Sequence, residues 1–476
     1  MFIRYKFGET IEGKIVMKTI KQKILNNSVF VFFLVLISWG MAIYISVSSS
    51  NVPIMDYWRF INVLVEKSFT GGVTFFDLYA NNGVHRSVYE LFLFLVNVKL
   101  FHYNTQISMY VGILIMMCTS MIVYRQIKKI CGNNKLMLNV ISVISILMIY
   151  SLGAYEIIAQ EFATPGALRI LCFVIVCVAT NNVIKEQNIE FNDKAVLLAL
   201  YYIFVIDIIG GAYSIGLSIT IAIVLTFDLV LRKKGKNKFC IGNYFVLYAS
   251  LIAGDLLYLY GLQINQSGNG NASAGLMETL CSFFKGLFVV DGTCLFGTYL
   301  NVKKLIVLGI VVTIIHVGCF GIYLIKKMYK KTYLPACLYI YACGFYGMIF
   351  IGRSGNGLGY LASSRYITDA MFAVLADLLV IAMIYADSKI NKQKIVNAIC
   401  GVALCFFLSG VIMTDIAELK RAPYRKQYDD NLIQMMFQIE EYPDDELYLF
   451  QANSPEMVRS GIDIMKKYHL GVFRGE

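Results

Sequence analysis

Charged side chains are scarce in this chain of 476 residues: Asp, Glu, Lys and Arg make up 15% of it against 58% apolar residues, and the mean hydropathy is +0.64. Soluble domains carry about 25% charged residues, so the deficit excludes an ordinary string of soluble domains. No Cys-x-x-Cys pair occurs among the twelve cysteines, most of which fall inside apolar runs and read as small core residues. A Walker A loop, a His-Glu-x-x-His helix, a Gly-x-Ser-x-Gly elbow and a dinucleotide fingerprint are missing too, which argues against ATP-driven transport and zinc proteolysis. No internal repeat is visible, and the one low-complexity stretch is the loop from Asn265 to Gly275.

What is present in quantity is apolar sequence in long runs, each near the ~20 residues needed to cross a hydrocarbon core about 30 Å thick. Without water to satisfy backbone amides there, such runs must be helices. The spans read as 29–48, 104–124, 136–152, 164–182, 195–209, 212–231, 241–262, 303–325, 332–351, 367–386 and 395–413. Two pieces, 88–101 and 281–300, are ambiguous, and counting either alone as a span would invert every later loop. With both laid on the outer surface, the basic clusters Arg125/Lys128/Lys129/Lys135, Arg232 to Lys238, Lys326/Lys327/Lys330/Lys331 and Lys389/Lys392/Lys394 all fall on one face. By the positive-inside rule that face is cytoplasmic, which puts the N-terminus inside and everything after 413 outside. The net charge of +11 therefore reads as orientation, not as a nucleic-acid surface. The first span follows Lys14, Lys18, Lys21 and Lys23 and lacks a small-residue cleavage site, so it reads as a retained anchor.

The expected architecture is an all-α polytopic membrane domain over 1–413, with juxtamembrane helices in the external loop 49–103, and a small extracytoplasmic α/β tail over 414–476. In that tail Leu447 to Phe450 reads as a short strand, and Ser454-Pro455 supplies an N-cap and first-turn proline for a helix to about Tyr468. Cys281 and Cys294 share an external segment and are the one pair placed for a disulfide.

Polar residues that need explaining gather on the external face. Asp56 lies just past the first span, where it can accept a proton, bind a divalent cation or simply cap the helix that follows. Arg86 suits bidentate grip of a phosphate or interfacial anchoring. Glu156 and Glu161 share a loop with no basic residue, which fits either a polar ligand or plain solvation. The loop from Gly352 to Tyr366 holds four glycines together with Arg353 and Arg365 near its two ends, so backbone amides and guanidinium groups can converge on an anion. Asp207 and Asp255 sit inside spans, where they line a cavity or bond to neighbouring helices.

Together these features resemble bacterial multi-spanning glycosyltransferases of the GT-C class, which use polyprenyl-phosphate sugars as donors. The likeness rests on Asp56-Tyr57-Trp58 after the first span, His85-Arg86 before the juxtamembrane helix, and Arg353 with Ser364-Arg365-Tyr366 before a late span. Related proteins often carry Glu-His-Arg at the second place and Trp-Glu-Asn in the next loop, where this chain has Val84-His85-Arg86 and Ala154-Tyr155-Glu156. The resemblance implies a lipid phosphate held by Arg353, Arg365 and Arg86, with Asp56 as general base or as ligand to a divalent cation (Mg or Mn). His85, Glu156, Glu161 and Tyr366 would line the same cavity, the acceptor would be a glycan or lipid, and the membrane would be a bacterial plasma membrane. Two other readings remain open: a polysaccharide polymerase or ligase acting on lipid-linked glycans, and a flippase or transporter. Transport would call for repeats and for charges at mid-membrane.

Overall fold

A computed structural model describes residues 11–81, 86–186, 191–235, 239–262, 276–387 and 394–475. Its longer helices are α1 (Ile11–Ser48), α2 (Val88–Phe101), α3 (Thr105–Cys131), α4 (Lys135–Ile149), α5 (Ala163–Lys185), α6 (Asp193–Phe204) and α7 (Ser214–Lys234). They continue as α8 (Ile241–Leu259), α9 (Leu276–Phe296), α10 (Val302–Ile325), α11 (Leu334–Arg353), α12 (Ile367–Ala386), α13 (Lys394–Phe437) and α14 (Pro455–Lys467). Among the described residues eleven helical segments are long and apolar enough to cross a membrane, so the chain is an all-α multi-pass membrane protein. The central one is α12: 94% of its apolar window is buried inside the protein, the mark of a helix surrounded by others instead of by lipid.

The two ends of the bundle differ. At one end, Lys185 Nζ donates to the carbonyls of Tyr329 and Lys330 (2.8 Å each), Asn192 N donates to Asn243, and Lys331 pairs with Asp387. This basic end gathers the described members of the Lys and Arg clusters singled out by charge parity. At the other, Leu152 N donates to Asp415 (2.8 Å), Ser50 N to Asp429 (3.0 Å), and Arg86 to the last carbonyls of α8. This second end carries a folded lobe.

The span count equals the expected one, but its membership by length differs. Met277–Phe296 qualifies, whereas α6 has 12 residues and then five more in π-helical geometry at Val205–Ile209. Contacts nevertheless favour the parity assignment. The segment from Asn192 to Asp207 runs from the basic end to Tyr79 in the lobe loop. In contrast, Gly286 of α9 packs on Phe350 and Leu361, and the last turn of α9 meets Ile367 and Thr414, all at the lobe end. Gly292 and Gly309 let α9 and α10 pack backbone to backbone: a Cβ at either would overlap the carbonyl of Leu305 or Phe288.

Three expectations need correction. The tail does not detach at 414: α13 is one helix of 44 residues, about 66 Å long at 1.5 Å per residue, so it projects well beyond a core of ~30 Å. Leu447 to Phe450 forms helical turns, not a strand, and no strand occurs among the described residues. Cys281 and Cys294 are free and lie on the same helix, separated by about 20 Å of helical rise, too far to bridge. The expected C-terminal helix is present as α14, with Ser454 Oγ accepting from Met457 N and Pro455 in the first turn.

The lobe has its own core, built jointly from the segment 49–103 that follows α1 and the chain from Leu432 on. Trp58, fully buried, meets Phe450 edge-on (5.2 Å) and lies against Gly461. Phe69 stacks on Tyr468 at 4.4 Å, and Gly471 N donates to His102 O. Neither segment is long enough to bury a core alone.

Candidate functional site

Between α4 and α5 the chain makes two tight turns, Leu152–Ala154 and Tyr155–Ile158, which present Glu156 to the loop ahead of α12. The Glu156 carboxylate accepts from Ser363 Oγ (2.8 Å) and Arg365 N (3.0 Å), and Arg365 Nε lies 3.5 Å away. Arg365 Nε also donates to Ser363 Oγ (2.9 Å), so the guanidinium is held in place. Arg353 and Arg365 then converge on one ring: their guanidinium carbons lie 5.7 and 5.9 Å from the centroid of Tyr360. Among the described residues Arg353 makes no hydrogen bond or ion pair, so its donors are free for an anion. Tyr366 is buried beneath them against Phe345. Arg169, Arg353 and Arg365 all act electrostatically on the Tyr213 hydroxyl, which places them in one neighbourhood.

Glu156 also borders a cavity of about 460 Å³ at the lobe end. Its other walls are Ser48 and Ile54, Tyr155 and Gln160, Thr298, and Arg421, Tyr424, Arg425, Tyr428 and Asp429 on the projecting part of α13. Glu418, fully buried, orients both arginines, accepting from Arg421 (3.1 Å) and Arg425 (2.6 Å). Arg425 lies flat on Tyr155, 3.3 Å from its centroid. Gln160 Oε1 and Arg425 Nε, on residues of the cavity wall, are buried and make no hydrogen bond among the described residues. Sequence reasoning missed Arg421, Arg425 and Asp429 because it treated the chain after 413 as a separate tail. The signal was available in the i, i+3, i+7 spacing of Glu418, Arg421 and Arg425, which sets them on one helical face.

The other expected residues go elsewhere. Arg86, 3% exposed, is spent on structure: Nε donates to Tyr79 O, Nη1 to Leu257 O and Tyr258 O, and Nη2 to Tyr260 O. It caps the carbonyl end of α8, where a cation is favoured, and is not free to hold a phosphate. Glu161 is buried with Oε1 accepting from Tyr103 (2.6 Å) and Oε2 unpartnered, and burial pushes its carboxyl well above the usual range. Neighbouring Glu90, on α2, is raised to about 7, by burial first and then by the charge of Asp56. Asp56 pairs with Arg59 (3.0 Å), is more exposed than its neighbours, and lies outside the cavity lining. His85 lies outside the described residues.

A divalent cation finds no ready ligand set: among the described residues no three His, Cys, Asp or Glu side chains converge as metal ligands, and Asp56 faces a guanidinium. No chemical step is therefore routed through a metal. Asp207 accepts from Tyr79 Oη (2.7 Å) and Asp255 from Ser218 Oγ (3.0 Å), so both bond to neighbouring segments. The expectation that charge crowds at one surface fails inside the bundle. Arg169 pairs with Asp369, Arg232 with Asp228, and His316 lies between Asp291 and Asp377. Arg169 and His316 stand in strongly apolar sequence, and only their pairing with residues far along the chain reveals why these buried charges are tolerated.

Compared with known proteins, the chain matches no family model, no curated protein and no solved structure.

Proposed function

We propose that this chain is a membrane glycosyltransferase that moves a sugar from a polyprenyl-phosphate donor to a glycan or lipid acceptor at the lobe end of the bundle, on the outer face of a bacterial plasma membrane. The observation that carries the reading is the 460 Å³ cavity, lined by arginine, carboxylate and tyrosine and adjoining Arg353 and Arg365 through Glu156. Tyrosine rings suit the faces of a sugar, and guanidinium groups suit a phosphate.

In this reading the donor phosphate lies against Arg353 and Arg365. As the bond from the anomeric carbon to the phosphate oxygen breaks, the departing phosphate gains charge, which the two guanidinium groups stabilise. The acceptor hydroxyl attacks the opposite face of that carbon and gives its proton to a carboxylate, inverting the centre. Asp429 is better placed for the proton than Asp56, because it lines the cavity, whereas Asp56 is held by Arg59.

The test is transfer by the purified full chain in liposomes given polyprenyl-phosphate sugars and membrane-derived acceptors. Wild type should release polyprenyl phosphate; Arg365→Ala and Asp429→Asn, recovered folded, should lose at least tenfold. Absence of release with every donor, or full activity in both variants, refutes the assignment. Release from a lipid-linked repeat unit but not from a monosaccharide donor would select the polymerase or ligase reading. A flippase or transporter draws support from Asp291, His316 and Asp377 within the bundle, and is selected if the lipid-linked sugar changes leaflet without losing its sugar.

A further inference from the structure

The α9–α10 hairpin packs backbone to backbone at Gly292 and Gly309, so it moves as one body. The turn that closes it supplies Thr298 to the cavity wall, and Tyr299 lies beneath Arg421 with its centroid 6.0 Å from the guanidinium carbon. Much of α10 faces outward: Val307, Ile314 and Val317 are each more than 60% exposed. How this peripheral hairpin is fastened therefore decides where one wall of the cavity stands.

The fastening is polar and sits inside the bundle. His316 of α10 places Nδ1 2.6 Å from Asp377 of α12 and Nε2 3.8 Å from Asp291 of α9. Three hydroxyl groups also bond to those carboxylates. Tyr346 Oη and Thr313 Oγ1 donate to Asp291 at 2.5 Å each, and Tyr339 Oη donates to Asp377. An ionised carboxylate in that low-dielectric interior is costly without a counter-charge. Among the described residues His316 is placed between the two to supply it. Nearer the turn the hairpin is held to the bundle by weaker neutral contacts, Thr414 Oγ1 to Leu295 O (2.8 Å) and Cys294 Sγ to Ile367 O (3.9 Å).

We infer that His316 is a positioning residue: as an imidazolium between Asp291 and Asp377 it clamps the α9–α10 hairpin to α12 and so sets the Thr298 and Tyr299 wall of the cavity. This rests on the cavity being the binding site, but the clamp itself is measurable without any sugar chemistry. Neutralising His316 leaves two buried anions without a counter-charge, which loosens the hairpin. Neutralising Asp377 along with it returns the cluster to its wild-type net charge, with Asp291 the one anion left, and restores a neutral hydrogen-bonded pair between positions 316 and 377.

The experiment uses the full chain in liposomes with Cys281→Ser, since Cys281 is exposed on α9, and reads the rate at which a membrane-impermeant maleimide labels Thr298→Cys. His316→Gln should raise that rate at least threefold, and His316→Gln with Asp377→Asn should return it to within twofold of the parent. An unchanged rate in folded His316→Gln overturns the proposal, as does a double variant that labels as fast as the single. If His316→Gln is not recovered folded, Asp377→Asn is read in its place, and a parental rate there overturns the clamp. Sugar release measured alongside separates the two ideas. A labelling shift without any transferase activity in wild type sinks the functional reading and leaves the clamp standing; activity in wild type without a labelling shift does the reverse.

Discussion

Arg169 and Asp369 face each other across the bundle in two parallel hydrogen bonds of 2.8 Å, Nη1 to Oδ1 and Nη2 to Oδ2, with the Tyr341 hydroxyl also donating to Oδ1 at 2.5 Å. The guanidinium stacks on Tyr213 with its carbon 3.8 Å from the ring centroid. Both side chains are almost wholly buried, so each charge depends on the other. Asp369→Leu should cost about 3–5 kcal/mol, because it strands a buried cation, while Arg169→Met together with Asp369→Leu should recover most of that loss. Unfolding in a denaturing detergent series measures both, and equal destabilisation in the single and double variants would contradict the pairing argument.

Two arginines that look alike in the sequence should behave in opposite ways. Arg86→Ala removes four hydrogen bonds to carbonyl groups and the stack on Tyr79, and should lower stability by about 2–4 kcal/mol. Arg353→Ala removes no hydrogen bond among the described residues and should change stability by no more than about 0.5 kcal/mol. Its transfer rate should nonetheless fall about 100-fold if it stabilises the leaving phosphate. Melting curves and donor turnover on the same preparations check both halves.

Hydropathy and loop charge made the multi-pass architecture and its two unlike ends legible, because both follow from the solvent each segment meets. The Arg353 to Tyr366 loop was legible too, since glycines bracketed by arginines bring guanidinium groups together whatever the tertiary context. Less visible were partners far apart in sequence. Nothing near Arg86 shows that α8 ends beside it, and nothing near His316 shows Asp377 on the next-but-one helix. The lobe was misjudged for a related reason: aromatic residues alternating with leucine, as at 447–450, favour a strand only if another strand is there to pair with. Here Leu447 and Phe450 serve instead as buried points on helical turns against Trp58.

The buried carboxyls of the lobe should make it acid-tolerant. Glu90, raised to about 7, and Glu161, raised further, bind a proton in the folded state at pH values where an unfolded Glu, near ~4.3, has lost it. Stability therefore falls as pH rises from about 4.3, levelling for Glu90 above about 7 and continuing to fall for Glu161. Trp58 fluorescence should report a higher unfolding temperature for the lobe at pH 5.5 than at pH 8.5. Glu161→Gln should raise the value at pH 8.5 and flatten the profile; a wild-type lobe that is more stable at pH 8.5 would contradict the burial argument.

Sidedness is the remaining determinant of which donor can reach the cavity. Asp445 is exposed on the lobe and Lys326 at the basic end, so cysteines introduced there, in a background with Cys240 and Cys281 replaced by Ser because neither is buried, report the two ends separately. An impermeant maleimide applied to intact cells should label Asp445→Cys, and should label Lys326→Cys only after permeabilisation. That outcome follows from the clustering of lysine and arginine at one end, since cytoplasmic loops retain positive charge during insertion. The reverse pattern would put the cavity in the cytoplasm and remove the need for a donor presented from the outer leaflet. Labelling of both positions from one side would refute the odd number of crossings, α11, α12 and α13, that separates Lys326 from Asp445.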